Sequence, residues 1–193
     1  MSESNFRSGI RSAVRGLWSG ALTPGQFSDA LEAVIQRNLT KAWTEGAADC
    51  GVAADELTDQ ETTALAAFID NQFGFIDGYG EAIDAESKAE GGKLTPLFAR
   101  AEKWVGKYSE AKANGHARAC ADEKSEFVFG PTKEHCGTCR GLRGRVYRNS
   151  VWAANDAVPP HNWNFECRGG CHCQLRSTDK PITRGKFPIG LLR

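Results

Sequence analysis

Apolar residues recur at helical spacing through the first two-thirds of the chain. Phe6, Ile10, Val14 and Leu17 form one stripe, and Arg7, Arg11 and Arg15 form another, four residues apart. The arginine stripe reads as a solvated face or as a contact for DNA or an acidic partner. Thr23-Pro24-Gly25-Gln26 has the grammar of a helix start: a capping hydroxyl, a proline at the first helical position and a glutamine that closes a capping box. Phe27, Leu31, Val34, Ile35, Leu39 and Trp43 then line one side. After a loop near Ala47–Ala54, Thr58-Asp59-Gln60-Glu61 is a second capping box. The helix that follows carries Leu65, Ile69, Phe73, Ile76 and Ile83, and Gly74, Gly78 and Gly80 make it breakable near its middle. Thr95-Pro96 opens a further helix bearing Leu97, Ala101, Trp104, Tyr108 and Ala111.

After about Asp122 the helical period fades. Phe127-Val128-Phe129, Gly144-Arg145-Val146-Tyr147 and Gln174-Leu175-Arg176 are short strand candidates. Asn155 to Asn164, with Pro159-Pro160, reads as an ordered loop. The pattern predicts an α+β protein. A helical region (1–121) precedes a small cysteine-stapled module with short strands (122–176), and a basic tail (177–193) carries Lys180, Arg184, Lys186 and Arg193.

Composition changes this picture in two ways. The 193 residues have a formal net charge of zero, but the charges are segregated. Twelve Asp/Glu face one basic residue, Lys88, from Thr44 to Gly92, whereas eighteen Lys/Arg face nine Asp/Glu from Lys93 to Arg193. Such an acidic middle and basic end suggest two faces with different partners. Met1 to Arg15 lacks a secretory pattern, and no stretch approaches the roughly 20 apolar residues of a membrane helix. The expectation is a protein made in a reducing cytoplasm, without a membrane partner. In that setting clustered cysteines read as metal ligands before disulfides.

Five of the seven cysteines fall in two knots, Cys136-Gly137-Thr138-Cys139 and Cys167-Arg168-Gly169-Gly170-Cys171-His172-Cys173. Two close groups of soft ligands separated by a loop suit a tetrahedral ion, and a structural zinc is predicted on Cys136 and Cys139 with two of Cys167, Cys171 and Cys173. His135, His161 and His172 are reserves. Reduced thiols without metal, or disulfides formed after release, are the alternatives. Cys50 and Cys120 read as helix-packing residues. The chain has neither a Walker-type phosphate loop nor a Gly-x-Ser-x-Gly elbow, and no catalytic residue is assigned. His161-Asn162 beside cysteines is similar to part of an HNH nuclease motif. The paired acid and histidine that start that motif are missing, so the chain is expected not to be an enzyme, with a zinc-stapled nucleic-acid-binding protein or HNH-like nuclease as the alternative.

The order of motifs resembles the phage Mu protein F-like head-morphogenesis family, the minor head proteins of tailed phages. The resemblance is carried by Cys136-Gly137-Thr138-Cys139, Leu142-Arg143-Gly144-Arg145-Val146-Tyr147, the loop Pro159-Pro160-His161, and Cys171-His172-Cys173-Gln174-Leu175. Trp104, Gly115 and His116-Ala117-Arg118-Ala119 upstream also fit. His172 stands where the family has Arg, and Arg168 where it commonly has His. The specific likeness covers roughly the last half. It implies a virion protein present in few copies inside the head, acting at or near the portal with other head proteins during capsid assembly, and contacting packaged DNA through its basic end.

Overall fold

The computed structural model describes residues 3–132, 134–188 and 190. Arg193, the last basic residue of the expected tail, lies outside them. The fold is α+β. The helices are α1 (Glu3–Trp18), α2 (Pro24–Ala48), α3 (Asp59–Phe73), α4 (Ile76–Ala85) and α5 (Leu94–Ala119), and a short 3-10 turn (Ala54–Glu56) precedes α3. Then come β1 (Lys124–Val128), α6 (Gly137–Leu142), β2 (Val146–Arg148), α7 (Asn149–Ala154) and β3 (Gln174–Ser177).

Local chemistry sets the helix starts as the sequence predicts. The Thr23 N–H donates to Gln26 Oε1 at 2.9 Å while the Gln26 N–H donates to Thr23 Oγ1 at 3.3 Å. Thr58 and Glu61 repeat this exchange at 2.8 and 3.3 Å. The single stripe expected from Leu65 to Ile83 is two helices, α3 and α4, because the chain breaks at Gly74-Phe75. The last long helix begins at Leu94, so Thr95 and Pro96 lie in its first turn rather than ahead of it.

The chain divides into two compact units, Met1–Lys41 with Thr62–Tyr108, and Ala42–Glu61 with Ser109–Arg193. The division differs from a boundary at 121/122: the second unit also takes the last turns of α2 and α5 and the loop after α2. In the first unit α1 packs on α4, and Phe6, Ile10, Phe27, Leu31, Ile35 and Tyr79 are fully buried. Tyr79 and Trp104 lie 5.1 Å apart, and the Tyr79 hydroxyl donates to Leu97 O at 2.6 Å. The arginine stripe is engaged within this unit. Arg7 Nε and Arg11 Nη2 reach Glu102 at 2.9 and 2.7 Å, and Arg11 and Arg15 lie over the Phe98 ring. Burial works to raise the Glu102 pKa, but the hydrogen bonds and positive charges of Arg7 and Arg11 together lower it from the ordinary carboxylate value.

In the second unit, α2 and α5 meet at glycines. A Cβ on Gly46 would strike Lys112 O, and one on Gly115 would strike Trp43 O. Backbone oxygens cannot move aside as a side-chain tip can. Gly46→Ala and Gly115→Ala are each expected to destabilise the protein by about 1–3 kcal/mol, read by thermal unfolding.

The sheet of this unit is antiparallel with order β2-β1-β3. In register, Ser125 faces Tyr147 and Ser177, and Phe127 faces Leu175. Alternation along β1 buries Ser125 and Phe127. Phe127 joins Trp152, Phe165, Leu142, Ala157 and Val158 in one core cluster, and Cys139, Cys171 and Cys173 belong to the same cluster. The Trp152 indole N–H donates to Ser125 O at 3.1 Å. Of the three sequence-read strands, the last matches closely. β1 starts three residues before Phe127, and β2 starts at Val146 rather than Gly144.

Candidate metal centre

Three segments of the second unit bring its thiols together. Cys136 is the N-cap residue of α6, and its Sγ accepts the Cys139 N–H at 3.5 Å. The two-residue spacer therefore sets Cys136 and Cys139 on the first turn of one short helix. The Glu166 N–H donates to Thr138 Oγ1 at 3.1 Å, and Glu166 Oε2 accepts the Gly137 N–H at 2.6 Å. These two bonds clamp the segment before Cys167 onto α6. The third segment runs Cys171-His172-Cys173 into β3, and the Cys173 N–H donates to Cys171 Sγ at 3.3 Å. Gly130 lets this segment approach, because a Cβ there would meet His172 O.

The result is a cluster of five free thiols. The Cys136, Cys139 and Cys167 sulfurs lie within 4.8 Å of one another, as do those of Cys139, Cys171 and Cys173, and each group can hold a metal ion. Cys139, Cys171 and Cys173 are 1%, 4% and 1% exposed, whereas Cys136 and Cys167 are partly exposed. The Cys139 S–H donates to Cys171 Sγ at 3.6 Å. That hydrogen bond holds the Cys171 thiol down to about 6 and, with burial, pushes Cys139 well up. Burial pushes Cys167 up to about 12 and raises Cys173 as well. For Cys136, burial is outweighed by hydrogen bonds from the Cys139 and Cys167 N–H groups and thiols, and its pKa is lowered. Neighbouring S–H and N–H donors thus favour the thiolate form of Cys171 over that of Cys139. A divalent ion replaces such shared protons as the partner of buried thiolates.

The three reserve histidines separate. His135 Nδ1 is 3.7 Å from Cys173 Sγ, and its ring stacks on Phe129 at 3.6 Å. His161 holds the loop: its N–H donates to Cys171 O at 2.9 Å, and its Nδ1–H donates to Gly169 O at 2.6 Å. His172 is exposed, with its ring 4.8 Å from that of His161. Asn162 is buried. Its amide donates to Asp156 O and Val158 O at 2.7 and 3.0 Å and accepts the Asn164 N–H at 2.8 Å. The His161-Asn162 pair thus ties down the loop between α7 and the second cysteine knot, whose Pro159-Pro160 bond is cis.

Cys50 and Cys120 are not merely packing residues. Their sulfurs are joined in a disulfide across 70 residues of sequence. His116 Nδ1 stands 3.5 Å from each sulfur. A sequence signal was present: His116 and Cys120 are one helical turn apart. What the spacing does not contain is the distant Cys50, delivered by the loop after α2.

No protein-family model, curated protein or solved structure matches this chain. Among the described residues, no helix is long and apolar enough to cross a membrane.

Proposed function

We propose that this chain is a structural protein of tailed-phage head assembly, and that its C-terminal unit is stapled by zinc bound to Cys136, Cys139, Cys167, Cys171 and Cys173. The observation that carries the staple is the convergence of five thiols from three segments, each segment fixed by its own backbone hydrogen bonds. Soft, crowded thiolates select zinc over hard cations. Three of the five are buried in the core cluster, so thiolate fills the corners that a catalytic ion would leave for water or substrate. The role in head morphogenesis rests on the order of motifs in the second half of the chain.

In this reading the protein is made in the host cytoplasm, resides in few copies inside the head, and works beside the portal and other head proteins. Exposed Arg140, Arg143, Arg168 and Arg176 surround the thiol-bearing segments and supply phosphate contacts to packaged DNA. The nuclease alternative lacks comparable support, because the Asn162 amide is committed to three loop bonds. Mass spectrometry of purified particles tests the proposal: the protein is expected in the particle and in portal pull-downs. Absence from both, or divalent-metal-dependent DNA cleavage lost in His161→Ala, would overturn it.

A further inference from the structure

We infer that the C-terminal unit binds a pair of metal ions that share Cys139 and Cys171 as bridging thiolates, with His135 as the sixth donor. The inference deepens the staple reading and rests on it. One tetrahedral ion takes four donors. This unit gathers six: five thiols, and a histidine nitrogen 3.7 Å from the innermost of the remaining sulfurs. Two tetrahedra that share an edge have six corners.

The thiols are already arranged as two overlapping groups. Cys136, Cys139 and Cys167 form one, Cys139, Cys171 and Cys173 form the other, and Cys139 belongs to both. Cys139 and Cys171 are in direct sulfur–sulfur contact, 3.6 Å apart. Two thiolates on one tetrahedral zinc, with bonds of about 2.3 Å, lie about 3.8 Å apart. The shared edge is therefore Cys139–Cys171. One ion is completed by Cys136 and Cys167, the other by Cys173 and His135.

The proposed bridges are 1% and 4% exposed and Cys173 is 1% exposed, while the outer ligands Cys136, Cys167 and His135 are partly exposed. Stacking holds the His135 ring beside Cys173: it lies on Phe129 at 3.6 Å, with the Arg143 guanidinium over the same phenyl ring at 4.7 Å. Charge favours the pair as well. Five thiolates on one divalent ion leave three uncompensated negative charges at a largely buried site; a second ion leaves one. Each ion binds by releasing the thiol protons to solvent, and no electron changes hands.

The test is native mass spectrometry of the full chain, followed by cadmium-113 NMR of the exchanged protein. Two ions per chain are expected, with two cadmium resonances that couple to each other through the shared sulfurs. Coupling excludes a separate ion at Cys50, His116 and Cys120. His135→Ala is expected to bind the second ion at least tenfold more weakly, with the far-ultraviolet circular dichroism unchanged. One ion per chain, two uncoupled resonances, or full retention of both ions in His135→Ala overturns the shared pair and leaves the staple standing. A chain with no bound ion overturns both.

Discussion

Cys139→Ser is expected to unfold the C-terminal unit. Serine nearly preserves the volume of cysteine, so loss of packing alone would be small: a buried hydroxyl without a good partner costs about 1–3 kcal/mol. Loss of a structural zinc site is far larger, since binding contributes on the order of 10–16 kcal/mol in small zinc domains. That exceeds or matches the whole stability of an ordinary domain, about 5–15 kcal/mol. Cys139 belongs to both thiol groups, so no other single cysteine replaces it. The measurement is denaturant unfolding of the wild type and the variant, each with zinc and with chelator. The wild type should lose most of its stability on chelation. The variant should start low and not respond. A deficit of only about 1–2 kcal/mol, equal with and without zinc, is the outcome for a packed thiol that binds no metal.

Reduction of Cys50–Cys120 is expected to have the second-largest effect. Both cysteines belong to the second unit, and the bridge closes a loop of 70 residues that includes Thr62–Tyr108 of the first. In the chain-entropy account, a loop of that length stabilises the folded state by about 4 kcal/mol. A metal-saturated sample treated with a phosphine reductant should lose about that much in denaturant unfolding. The double variant Cys50→Ser, Cys120→Ser should already be at the lower value and be insensitive to reductant. Thiol titration of the denatured, unreduced and metal-stripped chain should find five free thiols, the five of the cluster. Seven free thiols would mean that the bridge does not form.

The parts of this molecule that were legible in its sequence are those set by near neighbours. Thr23 with Gln26 and Thr58 with Glu61 cap their helices across three residues, and the Cys136-x2-Cys139 spacing fits a single helical turn. The break at Gly74-Phe75 follows from glycine's low helix propensity. What was not legible is decided by distant contacts. β1 begins before its apolar residues because its buried alternate position is Ser125, a polar residue, so the expected apolar alternation is missing at Lys124-Ser125-Glu126. The Ser125 carbonyl accepts the Trp152 indole N–H, 27 residues away, which fixes this position against the core. The first-helix arginines looked available for a partner, yet Arg7 and Arg11 hold Glu102, more than 90 residues on. The disulfide likewise depends on a loop placing Cys50 beside α5. At the thiol cluster, all five cysteines are evident from sequence, with His135 in reserve. Sequence alone does not show that His161 fastens the loop while His135 faces Cys173, because that depends on how Phe129 and Arg143 stack.

The central claim is that metal holds the C-terminal unit together. Hydrogen-exchange mass spectrometry of the full chain, before and after chelation, tests it most directly. The account predicts that on stripping, amides of residues 124–128, 137–148 and 171–177 lose protection together, while those of α1 and of the first turns of α2 keep theirs. Protection over 124–177 that is the same with and without chelator would contradict it.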